Sequence, residues 1–91
     1  MTRAQHQACL EGLAEITRSA DATVADAHSK FEPVCVEQAS RIRQQADAAR
    51  TRLVQDGDEY ERTAWAVLDT CRIALAETRL RLAGARSRRY T

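Results

Sequence analysis

The chain has little that would support a large core or a covalent framework. Of its 91 residues only four are aromatic, three are glycine and one is proline. Its three cysteines stand far apart with no Cys-x-x-Cys pair, which is typical of small buried side chains in a reducing compartment rather than of disulfides. A chain of this length builds one domain with a thin core, and we expect residues 1–91 to form a single unit.

Long apolar runs and an excess of one charge are also missing. No stretch of about eighteen apolar residues could span a membrane, and the N-terminus lacks the continuous apolar segment of a signal peptide, so we expect a cytoplasmic protein. Lys and Arg number 14 against 13 Asp and Glu, which argues against a surface devoted to nucleic acid. An RNA or membrane-surface contact would have to use the arginine-rich end, residues 86–91.

Patterns that carry catalysis or metal binding do not occur in the sequence. His6 and Cys9 share a helical face, but each cysteine is isolated in its own segment, unlike the paired ligands of zinc sites. A calcium loop beginning at Asp56 would need glycine at its sixth position, where Glu61 stands. The three glycines are dispersed, so they form no phosphate-binding loop. We therefore expect a protein without catalytic activity, cofactor or metal.

The first apolar series predicts a helix over about residues 3–28. Thr2 and Gln5 form the pattern of a capping box at its start. Apolar positions then recur at alternating steps of four and three, the period of one helical face. The expected core positions are His6, Leu10, Leu13, Thr17, Ala20, Val24, Ala27 and Phe31, with Cys9 and Ile16 beside them.

The phase of this series breaks near Pro33, which predicts a turn and a second helix over about residues 30–55. Ser29 and Glu32 repeat the capping-box pattern, and proline is tolerated in a first helical turn. The second core series is Cys35, Ala39, Ile42, Ala46, Ala49 and Leu53. One continuous helix kinked at Pro33 is the alternative, since steps of four also run through the break.

Gly57, set among acidic residues, predicts the second turn, and a third helix follows over about residues 58–85. Its core series is Ala64, Leu68, Cys71, Leu75, Thr78 and Leu82, with Tyr60 and Val67 beside it. Beyond Gly84 we expect a frayed arginine-rich end at residues 86–91. Three segments of matched length predict an all-α fold, an elongated antiparallel three-helix bundle of the coiled-coil type.

The third helix is also apolar away from its core series, where a solvent-facing helix should be polar. Tryptophan and arginine beside aliphatic anchors are the composition of a protein interface. The predicted interface residues are Arg62, Trp65, Asp69, Arg72, Ile73, Glu77, Arg79 and Leu80. The alternative is that Trp65 is wedged between the other two helices, whereas for Ile73 and Leu80 we favour exposure.

The same segment resembles a known family. Asp56-Gly57-Asp58-Glu59-Tyr60, then Val67-Leu68-Asp69-Thr70, Arg72 and Arg81-Leu82, are similar to tubulin-binding cofactor A, and the match covers about a third of the chain. The resemblance implies a three-helix chaperone that holds beta-tubulin. Two alternatives remain: a helical subunit that buries the same face by self-association or in a larger assembly, or a small secreted helical protein resembling those of type VII secretion.

Overall fold

Three helices make up the described chain, as the sequence predicts. The computed structural model describes residues 2–90 and the side chains of residues 2–85. The helices are α1 (Arg3–Ser29), α2 (Pro33–Asp56) and α3 (Asp58–Tyr90), and no strand occurs within these residues. The helices lie side by side in a body of 51 × 16 × 15 Å, with α2 antiparallel to the other two. The prediction of an elongated all-α three-helix bundle is confirmed.

The capping box at the start of α1 is formed as predicted. The Gln5 amide donates to the Thr2 hydroxyl at 3.1 Å, and the Thr2 amide donates to the Gln5 side-chain oxygen at 2.9 Å. These two bonds satisfy backbone donors that a helix start leaves unpaired. Local sequence alone therefore sets this boundary.

The turn between α1 and α2 is a true reversal, but it lies later than predicted. Ser29 still belongs to the last turn of α1, so the predicted capping box of Ser29 and Glu32 is wrong. Glu32 precedes α2 without a side-chain cap, and Pro33 is the first helical residue. Phe31 reverses the chain with a φ of 56°, a left-handed conformation that bulky residues rarely adopt. The single kinked helix is excluded.

The turn between α2 and α3 is shorter and is centred on Gly57. Its φ of 59° is a conformation that glycine adopts without strain, and its amide donates to the Leu53 carbonyl at 3.0 Å. After this turn α3 continues to Tyr90, past Gly84, so its predicted end near Ala85 is five residues too early. The predicted fraying of residues 86–91 is not tested, since the side chains of 86–90 and all of Thr91 lie outside the described part.

The core is a thin layer of alanine, cysteine, leucine and isoleucine side chains between the helices. Every residue of the predicted core series of α2 and α3 is buried. In α1 the buried residues are Cys9, Leu13, Ile16, Ala20, Thr23 and Ala27. The predicted α1 positions His6, Leu10, Thr17 and Val24 are only half-buried, and Phe31 is wrong because it is 79% exposed at the turn. The face that α1 buries is thus rotated toward Cys9 and Ile16.

Candidate protein interface on α3

Helix α3 presents a second row of residues on the side away from the core. The row steps alternately by three and four residues, which is the heptad pattern that packs one helix against another. We name it the outer row, and all of its members are exposed. They are Ala66, Asp69, Ile73, Ala76, Leu80 and Ala83. α3 therefore has one buried heptad row and one in solvent.

The two large apolar side chains of the outer row are its centre. Ile73 is 62% exposed and Leu80 is 75% exposed. They stand one heptad apart, about 10 Å along the helix axis. One exposed leucine is ordinary in a soluble protein, but two at heptad spacing separated by Ala76 leave room for a second helix to approach closely.

The two edges of the outer row differ in charge. The edge nearer α1 carries Arg72 and Arg79, whereas the opposite edge carries Glu77 and Arg81, which line a groove with residues of α2. Arg72 Nη1 lies 4.0 Å from Asp69 Oδ1, and both side chains are more than half exposed, so this pair adds little stability. The edge nearer α1 is consequently basic.

Small residues of α1 make room for this basic edge. A side-chain carbon built on Gly12 would lie 3.3 Å from Arg72 Nη2, which places the Arg72 guanidinium against α1. One heptad further along both helices, Arg79 Nη1 donates to the Ser19 hydroxyl at 3.4 Å. These contacts with α1 thus place both arginines at the edge of the outer row that faces α1.

The structure divides the predicted interface residues between several surfaces. Asp69, Ile73 and Leu80 lie in the outer row with Arg72 and Arg79 at its edge, and the predicted exposure of Ile73 and Leu80 is confirmed. Trp65 instead is half-buried and packs against the main core cluster, as the wedged alternative expects. Arg62 lines a separate cleft beside Trp65. That any of these residues bind a partner stays a prediction.

Sequence reasoning missed two features. Phe31 and Val34 expose an apolar tip at the turn between α1 and α2. Glu61 is buried in α3, and the step of three from Glu61 to Ala64 continues the core series, so the period could have found it. The residue type conceals this signal, because an acidic residue in a first helical turn normally stays in solvent.

The three thiols are buried and free rather than poised for chemistry. Burial raises the pKa of the Cys9 thiol, the Glu61 carboxylate raises it further, and the Arg72 guanidinium partly offsets this. Burial alone raises the pKa of Cys71. A raised pKa lowers the thiolate fraction, so neither side chain is activated as a nucleophile.

The described residues offer neither a metal-binding cluster nor a membrane-spanning helix. They hold no group of three or more His, Cys, Asp or Glu side chains that could bind a metal ion. None of the described helices combines the length and the apolar character needed to cross a bilayer.

Comparison with known proteins adds no identification. No protein-family model matches the chain, and no match was found among curated proteins or among solved structures.

Proposed function

We propose that this protein is a noncatalytic interaction module that binds an amphipathic helix of a partner protein along the outer row of α3. The observation that carries the proposal is the exposure of Ile73 and Leu80 at heptad spacing in the middle of the longest helix. A helix laid on this row would cover both side chains, as other grooves take the apolar face of a partner helix.

The charges beside the outer row favour a partner helix with an acidic edge. Carboxylates along such a helix would meet Arg72 and Arg79, and complementary edge charges set the orientation and partner choice of paired helices. The proposed partner is thus apolar along one row and acidic along the neighbouring edge.

Self-association through the same row is electrostatically unfavourable in either direction. An antiparallel pair would set the edge carrying Arg72 and Arg79 against the same edge of the second copy, so like charges meet. A parallel pair would face Asp69 with its symmetry mate inside the seam, where two like charges cost more than at the rim. A different protein can therefore cover the outer row without the like-charge contacts that a second copy would make.

Beta-tubulin is the specific partner that the resemblance to cofactor A suggests. The proposed function would then be that of a chaperone holding the tubulin subunit through α3. Purified tubulin is therefore the first protein to test against the outer row.

The test uses two substitutions in the row and one matched control. Ile73→Asp with Leu80→Asp should abolish partner binding because it charges the centre of the row. Val54→Asp should leave binding intact, because Val54 is also a large exposed residue, at 67%, but lies on α2. Affinity capture from lysate and titration with tubulin give the binding readout, and a photo-crosslinking residue placed at 73 or 54 identifies which surface is touched.

Circular dichroism and urea unfolding accompany each variant. Because Ile73 and Leu80 are exposed, their substitution should leave helicity unchanged and the free energy of unfolding within about 0.5 kcal/mol per site. Loss of helicity would show that the row stabilises the monomer. Equal loss of binding in Val54→Asp, or crosslinks from position 54 alone, would refute the outer row as the binding surface. Failure with tubulin alone would refute only that partner.

A further inference from the structure

An open cleft lies between the beginnings of α1 and α3, away from the centre of the outer row. Its volume is about 460 Å³. The lining residues are Gln5, Asp58, Glu61, Arg62 and Trp65. The cleft therefore combines two carboxylates and one indole ring with an amide and a single guanidinium, and its side chains carry a net negative charge.

Glu61 is the unusual member of this lining. The residue is only 7% exposed, and its buried Oε1 has no hydrogen-bond donor among the described residues. A buried carboxylate oxygen without a donor is costly, and nearly all buried polar atoms in folded proteins have a partner. Glu61 also lines the cleft, so a donor bound there would lie beside this carboxyl group.

Stabilisation of the helix start does not explain this burial. Acidic residues in a first turn complement the macrodipole, and Asp58 and Glu59 do so while they remain in solvent. Glu61 is drawn instead into the core row one step before Ala64, close enough to Cys9 for its charge to act on that thiol. Interaction with the helix dipole requires neither a buried side chain nor a carboxylate oxygen without a hydrogen-bond donor.

The positive charges of the described side chains, residues 2–85, do not neutralise the cleft. Among the described residues, no Lys or Arg forms an ion pair with Asp58 or Glu61, and Arg62 lines the cleft without bonding to either carboxylate. A metal ion is a poor match, since no three potential ligands converge within the described part. An organic cation fits, because an aromatic face beside a carboxylate is the combination that recognises one.

We propose that this cleft binds the ammonium or guanidinium group of a basic side chain presented by a partner polypeptide. The Glu61 carboxylate accepts the charge-assisted hydrogen bond, Asp58 adds attraction at the mouth, and the Trp65 ring packs against the cation and its aliphatic stem. The inference does not depend on the outer row, since none of the cleft residues lies in it.

Trp65 is the only tryptophan in the chain, so its fluorescence reports directly on the cleft. The full chain is titrated with the blocked tripeptide acetyl-glycyl-lysyl-glycinamide and, separately, with its arginine and norleucine counterparts at constant ionic strength. We expect a saturable change with the lysine or the arginine peptide and none with the neutral norleucine peptide. The change should weaken as salt screens the charges.

Two isosteric variants locate the binding group. Glu61→Gln should weaken binding of the basic peptides by about tenfold or more, because it removes a charge-assisted hydrogen bond. Glu59→Gln is the matched control, since Glu59 carries the same charge in the same helical turn but does not line the cleft. It should leave the affinity within about twofold, as expected for an exposed charge outside the site.

The contrary outcomes are distinct. An equal response to norleucine would show that the cleft takes apolar groups, and an unchanged affinity in Glu61→Gln would remove the carboxylate from the site. Arg62→Gln should tighten cation binding by removing a competing charge, so loss of binding in that variant would overturn the proposal in favour of an anion. Circular dichroism checks each fold, and Asp58→Asn replaces Glu61→Gln if the latter does not fold.

Discussion

At the scale of single residues, buried polar groups in this bundle are of two kinds. The hydroxyls of Thr23 and Thr78 donate back to the Ser19 and Ala74 carbonyls at 2.8 and 2.9 Å, so their burial in the core rows costs little. Glu61 has no such solution for its buried oxygen. The helix backbone thus satisfies the hydrogen bonds of both threonine hydroxyls, whereas the buried Glu61 oxygen requires a donor from elsewhere.

The buried thiols predict how stability changes in alkaline solution. Burial raises the pKa of Cys9 and Cys71 above the ordinary value of 9.0, so the folded chain keeps these protons at a pH where the unfolded chain releases them. Their contribution to stability is therefore complete below pH 9 and is lost as the pH rises through the folded-state pKa values. We therefore expect the free energy of unfolding to fall as the pH rises through this range.

Urea unfolding between neutral pH and strongly alkaline pH, under a reductant, measures this fall. A double variant, Cys9→Ala with Cys71→Ala, should be less stable throughout because it leaves small cavities, but its alkaline slope should be shallower. The prediction is wrong if the slope of the double variant equals that of the original chain.

At the scale of the helices, α1 shows how packing selects between two apolar series that share members. Both series contain Leu13, Ala20 and Ala27. The face that α1 buries therefore depends on the other apolar position of each heptad. Contact with α2 and α3 buries Cys9 and Ile16 and leaves Leu10, Thr17 and Val24 at the edge. In α2 a single apolar series exists, and in α3 the buried series shares no member with the outer row, so the predicted core faces are the observed ones.

The two helical glycines predict opposite effects on stability. A side-chain carbon at Gly12 would lie 2.7 Å from Cδ2 of the fully buried Leu68, where α1 contacts α3, whereas one at Gly84 would meet nothing within 4 Å. Gly84→Ala should stabilise the protein by about 0.5 to 1 kcal/mol through helix propensity. Gly12→Ala should destabilise it by about 1 kcal/mol, because the cost of overpacking against Leu68 exceeds the gain in helix propensity.

Thermal and urea unfolding of the two variants test the close approach of α1 and α3. A stabilising Gly12→Ala would mean that Leu68 can move aside and that the two helices are less tightly packed than described. A Gly84→Ala variant without any gain would contradict the helical state of that segment.

At the scale of the whole molecule, the bundle is a rod whose length is that of α3. Thirty-three residues give a helix of about 50 Å, which matches the 51 Å long axis. A rod of this kind has a small core, so a large part of each helix surface is exposed. The charges on an exposed helix face then decide which partners can pack against it. The outer row is long enough for a helical partner, but a second copy would bring like charges together, at the arginine edge in an antiparallel pair and at Asp69 in a parallel one.

We therefore predict that the protein is monomeric in solution at neutral pH. Light scattering or sedimentation should give the mass of one chain at moderate ionic strength, since like charges oppose both pairing directions. A dimer that Ile73→Asp converts to monomer would establish self-association as the function of the outer row. A dimer unaffected by Ile73→Asp would point to another surface, such as the tip at Phe31 and Val34.

The sequence by itself determined the three helices, the capping box at Thr2, the turn at Gly57 and the buried rows of α2 and α3, because period, caps and glycine act over one or two helical turns. Tertiary structure decided the face that α1 buries, the partial burial of Trp65, the outward position of Phe31 and the burial of Glu61. Each of these depends on which neighbouring helix lies within reach. That is set by residues far apart in the chain, which local periodicity does not describe.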